Sequence, residues 1–272
     1  MKKNVRLILF GFSMVIAALL LVISLVGVYD SPYEQETLLW RIQCEGQDLI
    51  DLIFVFPILI ISSVLLLRGS IVGRLTWPGV IFYLIYTFTI YCFDVHFNAF
   101  FLEYCAVLGL SIYSFMYFLY REVNVHWNNT FSSNILIKSV AFYIIFIAAV
   151  FYMLWLAEIL VAINAAELPA KLDQMKLPTN PIHVLDVAIL LPFMILTGVL
   201  LLKEKTAALY LGSYILTFTI LMNITILVLD ILEEDNAVMR ITFIVLTLVS
   251  VVLLTAKIMF IKRDLRKTEE IK

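Results

Sequence analysis

Charge is scarce in this chain. Asp, Glu, Lys and Arg make up 15% of its 272 residues, against 63% hydrophobic residues. A soluble domain carries about 25% charge, so the excess of apolar side chains needs lipid as its solvent. Cysteine is scarce as well. Cys44, Cys92 and Cys105 occur with no CxxC pair, which excludes a disulfide framework and a zinc ribbon. The formal net charge of −2 comes without a basic face or basic–aromatic alternation, so nucleic acid is not a partner. There is no Walker-type loop, GxSxG, HExxH or Ser–His arrangement. ATP-driven transport and hydrolysis therefore have no residues to rest on, and no cofactor is implied.

What the chain has instead is long apolar runs. About 20 apolar residues span the hydrocarbon as a helix, because each residue rises about 1.5 Å. Eight stretches meet that test: 7–28, 49–67, 76–92, 98–120, 136–163, 183–202, 206–229 and 239–261. None alternates at strand length, so the backbone must satisfy itself as helices. The first run follows "MKKNVR" like a signal peptide. It is too long for one, and "LVGVYDS" lacks a small-x-small cleavage site, so a retained span is expected.

Basic residues orient these spans. With both termini cytoplasmic, the inner segments hold fifteen Lys and Arg, and the outer ones hold Arg41, Lys171, Lys176 and Arg240. That is a strong positive-inside bias. Acids gather on the opposite side, in the segment from Asp30 to Asp48 and in "DILEEDNAVMR". They make either a solvated outer surface or a vestibule that concentrates cations.

Two of the runs match. Residues 51–69 read "DLIFVFPILIISSVLLLRG" and residues 186–204 read "DVAILLPFMILTGVLLLKE", 135 positions apart. "TFTI" recurs at 87–90 and 217–220 in the helices that follow. The simplest account is a tandem repeat of four helices plus four. The expected organisation is a first repeat over 1–122, a cytoplasmic linker over 123–135, a second repeat over 136–262 and a basic tail over 263–272. An even number of spans per repeat gives two parallel halves, and such repeats occur among transporters with sites at their interface.

Pro57 and Pro192 lack an N–H, so the carbonyls of Ile53 and Ala188 lose their helical donor and each helix should kink. Asp51 and Asp186 then either cap their helices or meet at an interface to bind a cation or exchange protons. Asp48 and His183 stand one turn earlier at matched positions. In "YCFDVHFNAFFLEYC", His96 and Glu103 share a face if both are helical. With Asp94 and Asn98 they suit a metal or proton site, or else an interfacial His beside a cavity-facing Glu. Glu158 near the outer end of the fifth span and Asp230 at the end of the seventh complete the acids of the outer half. Asn223, near a helix centre, suits an interhelical hydrogen bond. Cys44 and Cys92, both outside, are either one disulfide in an oxidising compartment or two unrelated thiols. "NNT" at 128–130 matches a glycosylation acceptor but falls on the cytoplasmic side. The basic tail "KRDLRK" suits anionic headgroups.

The segment from Tyr83 to Phe115, especially "FNAFFLEYCAVLGLSIYSF", resembles a recurrent pattern in uncharacterised multi-pass membrane proteins of bacteria and archaea. "DVAILLPFMILTGVLLL" is similar to the second-half helix of such proteins. The resemblance implies a prokaryotic cytoplasmic membrane and no assigned activity. The expectation is thus an all-α bundle of eight transmembrane helices. Its first functional reading is a small-solute or ion transporter using Asp51, Asp186 and Glu103, with lipid, a solute or cation, and a membrane protein as possible partners. The alternative is a non-transporting sensor, scaffold or accessory subunit. An intramembrane enzyme comes third, for want of a nucleophile–base set.

Overall fold

The computed structural model describes residues 1–126, 134–233 and 236–270. The "NNT" tripeptide and most of the expected 123–135 linker lie outside the described residues. Among those described there is no strand, and eight helices are long and apolar enough to cross a membrane. They are α1 (Lys3–Tyr29), α2 (Leu38–Leu67), α3 (Ile71–Asp94), α4 (Phe101–His126), α5 (Ile135–Ala165), α6 (Pro181–Leu202), α7 (Thr206–Glu233) and α8 (Ala237–Glu270). A short helix, Ala170–Met175, lies between α5 and α6. By length and composition this is a multi-pass membrane protein.

The helices run past the apolar runs that announce them. Helix α2 begins eleven residues before residue 49, at Leu38, capped by the Thr37 hydroxyl, which accepts from the Trp40 N–H. Its first turns are amphipathic, with Trp40, Cys44 and Asp48 buried along one side at helical spacing. Helix α8 continues through Glu270, so the backbone of the expected tail extends that helix.

Both proline-containing helices carry the same irregularity. Asp51–Val55 and Asp186–Leu190 are π-turns. The Phe56 N–H reaches back five residues to the Asp51 carbonyl, and the Leu191 N–H to that of Asp186. A proline ring crowds the carbonyl four residues before it, and a turn widened by one residue relieves that crowding just ahead of Pro57 and Pro192. The freed backbone still needs a donor. In α6 the Tyr152 hydroxyl supplies it, 2.7 Å from the carbonyl of Val187, one residue before the expected Ala188.

The turns that follow also agree. Gly69 and Glu204 adopt left-handed φ of 77° and 56°. Their N–H groups donate to the carbonyls of Leu66 and Leu201, and those of Ser70 and Lys205 to Leu65 and Leu200. "TFTI" behaves differently. It begins sixteen residues after the start of α3 and eleven after the start of α7, so its copies sit at unequal depths.

Helices α1 to α4 pack in a closed ring of neighbours, α1–α2–α3–α4–α1, and α5 to α8 pack in the same order. The two groups meet chiefly along α3 and α7, and the first turns of α2 also lie against α7. Phe82, Tyr83 and Tyr86 of α3 surround Phe218 of α7, with ring centres 5.1 to 6.1 Å away. Further along, Gly79 lets the backbones touch. A Cβ there would lie 2.5 Å from the Tyr214 carbonyl oxygen and 2.6 Å from the Thr217 Cβ. Lipid gives helices no hydrophobic reason to associate, so such small-residue contacts carry much of the packing.

Candidate functional site

A cavity of about 440 Å³ opens between the two groups of helices. It lies toward the end of the bundle that holds residues 30–37, 95–100 and 166–180, the acidic end. Its wall draws on α2, α3 and all four of α5 to α8, and is mainly apolar and aromatic, with Trp40, Tyr91, Phe151, Trp155, Phe218 and Phe243. It reaches the surface beside Glu158 and Lys171, whose side chains are 41% and 55% exposed.

Asp186 faces this cavity from the first position of the α6 π-turn. Asn180 caps α6 by accepting from the N–H groups of Ile182 and His183, so Asp186 is not a cap. Its carboxylate accepts from the Tyr86 hydroxyl of α3 at 2.9 Å and from the Trp155 indole N–H of α5 at 2.8 Å. Both donors are neutral. The other acids of the wall have different company. Asp230 is paired with Arg240 at 2.9 Å. Glu233 is paired with Lys171 at 3.0 Å and accepts from Gln43. Glu158 stands 3.6 Å from Nε2 of His183, beyond hydrogen-bond reach. That His183 ring lies 4.5 Å from the Trp155 ring. His183 Nε2 and Asn223 Nδ2 are buried on the wall without a hydrogen-bond partner.

Asp51 sits differently. It is wholly buried and is not part of the wall. Gln47, one turn earlier on the same helix, donates to Asp51 and to the Tyr83 hydroxyl, each at 2.9 Å. Tyr83 in turn meets the Thr225 hydroxyl at 2.6 Å. Gln47 and Thr225 do line the cavity, so Asp51 lies one hydrogen bond behind it. Nor is Asp51 a cap, because α2 starts thirteen residues earlier. Asp48 anchors a separate cluster, accepting from the hydroxyls of Tyr33 at 2.5 Å and Tyr91 at 3.1 Å. It lodges against Gly27 of α1, where a Cβ would collide with its carboxylate. Burial, followed by the charge of Asp48, holds the Tyr33 phenol well above its ordinary range.

The remaining expectations separate. His96 lies in the connection between α3 and α4 rather than on a helix, so it shares no helical face with Glu103. Its Nδ1 pairs with Glu36 at 2.9 Å, and its N–H donates to the same carboxylate. Glu103 lies in the first turn of α4, away from the wall, with Oε2 buried and unpartnered. Among the described residues no three His, Cys, Asp or Glu side chains are grouped to hold a metal ion. The three cysteines are free, and the thiol beside Cys92 is that of Cys105 rather than Cys44.

Of the residues singled out from sequence, Asp186, Glu158, Asp230, His183, Asn223 and Cys44 therefore line one cavity. Trp155, Tyr86 and Gln47 complete the setting. A signal for Trp155 existed, since it precedes Glu158 by one helical step of three. Asn223 faces the cavity with its amide nitrogen buried and without a hydrogen-bond partner. Compared with models of known protein families, with curated proteins and with solved structures, the chain matches none.

Proposed function

We propose that this chain is a small-solute transporter of the cytoplasmic membrane, with its site in the cavity between two parallel four-helix repeats. One observation carries the reading. The cavity lies between the two groups of helices, reaches the surface at the acidic end, and is shut toward the other end by α3 against α7. The matched π-turns, the matched turn bonds and the common order of neighbours support a tandem duplication. The distribution of Lys and Arg supports cytoplasmic termini and an outward-facing cavity.

At the closed end the groups meet in van der Waals contact at Gly79, in the Phe118–Tyr214 ring pair with centres 6.0 Å apart, and through the Arg74 guanidinium over the Tyr210 ring, 5.4 Å from its centre. The strong charge pair stays within one group, since Arg74 Nε donates to Glu122 of α4 at 2.6 Å. Separating α3 from α7 would break a cation–π contact, worth about 0.5–2 kcal/mol, and would leave that ion pair intact.

The test is access. In a background with Cys44, Cys92 and Cys105 replaced by serine, Thr219→Cys places one thiol on the cavity wall. A membrane-impermeant thiol reagent should label it from either face of oriented vesicles. Labelling from the acidic face alone, under every condition tried, would refute transport and favour a receptor or accessory subunit.

A further inference from the structure

The cavity between the two groups of helices brings together a carboxylate without a countercharge, aromatic faces and an unused amide donor. Resting on the reading of that cavity as a solute site, we propose that its ligand is an organic monocation: a substituted amine or ammonium with an apolar body and one oxygen acceptor.

Charge comes first. Asp186 is held only by the hydroxyl of Tyr86 and the indole N–H of Trp155, which orient the carboxylate without neutralising it. Asp230 and Glu233 already have Arg240 and Lys171. A cationic ligand would supply Asp186 with the countercharge that a weakly polar cavity strengthens. An anion finds no such welcome. Lys171 is the one Lys or Arg of the wall among the described residues, and Glu233 holds it.

Shape and surface separate an organic cation from a metal ion. A space of about 440 Å³ falls within the range of small-molecule sites, and a bare ion would leave most of it unfilled. The aromatic wall suits an alkylated ammonium, which is attracted to indole and phenyl faces. Trp155 serves twice, because the indole that donates to Asp186 also offers its ring beside that carboxylate.

The unused hydrogen-bonding groups define the rest. Asn223 is 4% exposed and His183 7%, and Asn223 Nδ2 and His183 Nε2 have no hydrogen-bond partner, although the latter lies 3.6 Å from the Glu158 carboxylate. A buried donor left unpaired costs about 1–3 kcal/mol. An oxygen on the ligand, as hydroxyl or carbonyl, would accept from the Asn223 amide and recover that cost.

The experiment titrates the purified full-length protein in nanodiscs, following tryptophan fluorescence. The probes are benzyltrimethylammonium, its uncharged carbon isostere neopentylbenzene, and benzenesulfonate. The ammonium should bind saturably, at least tenfold more tightly than either of the others. Asp186→Asn should weaken it at least tenfold, while Glu103→Gln, away from the wall, should leave it unchanged. The comparison of probes on the unaltered protein needs no variant, so misfolding of Asp186→Asn cannot hide the answer. No saturable binding of the ammonium below about 10 mM, or equal binding of the isostere or the sulfonate, would overturn the proposal. Two-sided labelling of Thr219→Cys without ammonium preference would overturn the ligand class and spare transport. Ammonium binding with one-sided labelling would do the reverse.

Discussion

Replacing Gly79 by alanine measures the seam between the two groups of helices directly. The added Cβ would lie 2.5 Å from the Tyr214 carbonyl oxygen and 2.6 Å from the Thr217 Cβ. The first obstacle is backbone, so no rotamer change clears it. The helices must move apart until the contact reaches ordinary separation, roughly 1 Å, and inserting a methyl group into packed surroundings costs about 1–3 kcal/mol. Alanine also favours a helix over glycine by up to about 1 kcal/mol, so the raw change understates the clash. Gly11→Ala and Gly109→Ala are the controls, since a Cβ at either site meets nothing within 4 Å. Unfolding free energies from titration with a denaturing detergent, followed by tryptophan fluorescence, should place Gly79→Ala about 1–3 kcal/mol below both controls. Agreement with the controls within about 0.5 kcal/mol would mean that α3 and α7 are not in backbone contact, and the account of a shut end would fail with it.

Two further outcomes follow from the loops. Glu204 holds a left-handed φ of 56° at the end of α6, where the matching residue of α2 is Gly69. A side chain there costs about 1–2 kcal/mol, so Glu204→Gly should stabilise by up to about 1 kcal/mol in the same titration after the glycine's greater unfolded-state entropy is counted; a destabilisation would contradict the turn geometry. Tyr33 keeps its proton in the folded state to higher pH than in the unfolded one, its phenol being raised by burial and by Asp48. Its contribution is therefore complete below about pH 10 and is lost above it, at about 1.4 kcal/mol per pH unit. Tyr33→Phe should lower the alkaline slope of stability against pH by one proton, and parallel slopes would show that Tyr33 ionises freely.

The eight helices were legible because apolar runs of spanning length have no other outlet in lipid. The start of α2 was not, because the turns from Leu38 to Ile50 are amphipathic rather than apolar, and a hydropathy window ends where Gln47 and Asp48 begin. The paired Asp and Pro mark the same local feature in each helix, a π-turn that starts at the acid. Their environments differ, because the motif fixes the turn and the neighbours fix the carboxylate. Gln47 stands one turn before Asp51 and bonds to it within the helix. The matched position before Asp186 is Ile182, which offers nothing, and that carboxylate goes across to Tyr86 and Trp155. The difference was written in the sequence at one position, yet the identity of the distant donors depends on packing that spacing cannot reveal. His96 and Glu103 failed for a simpler reason. A face is shared only along a continuous helix, and residues 95–100 break it.

The two π-turns also bear on the order in which the molecule came about. A single extra residue in a helix turns every side chain beyond it by about 100°, and in both helices the widened turn sits just ahead of a proline with an aspartate at its first position. On the duplication proposed above, the widened turn was already present in one ancestral four-helix unit, together with its acid and its proline. On that proposal the copies then parted at the position one turn before the acid. One lineage closed its carboxylate inward with a glutamine, and the other, with an isoleucine, left it facing the space between them.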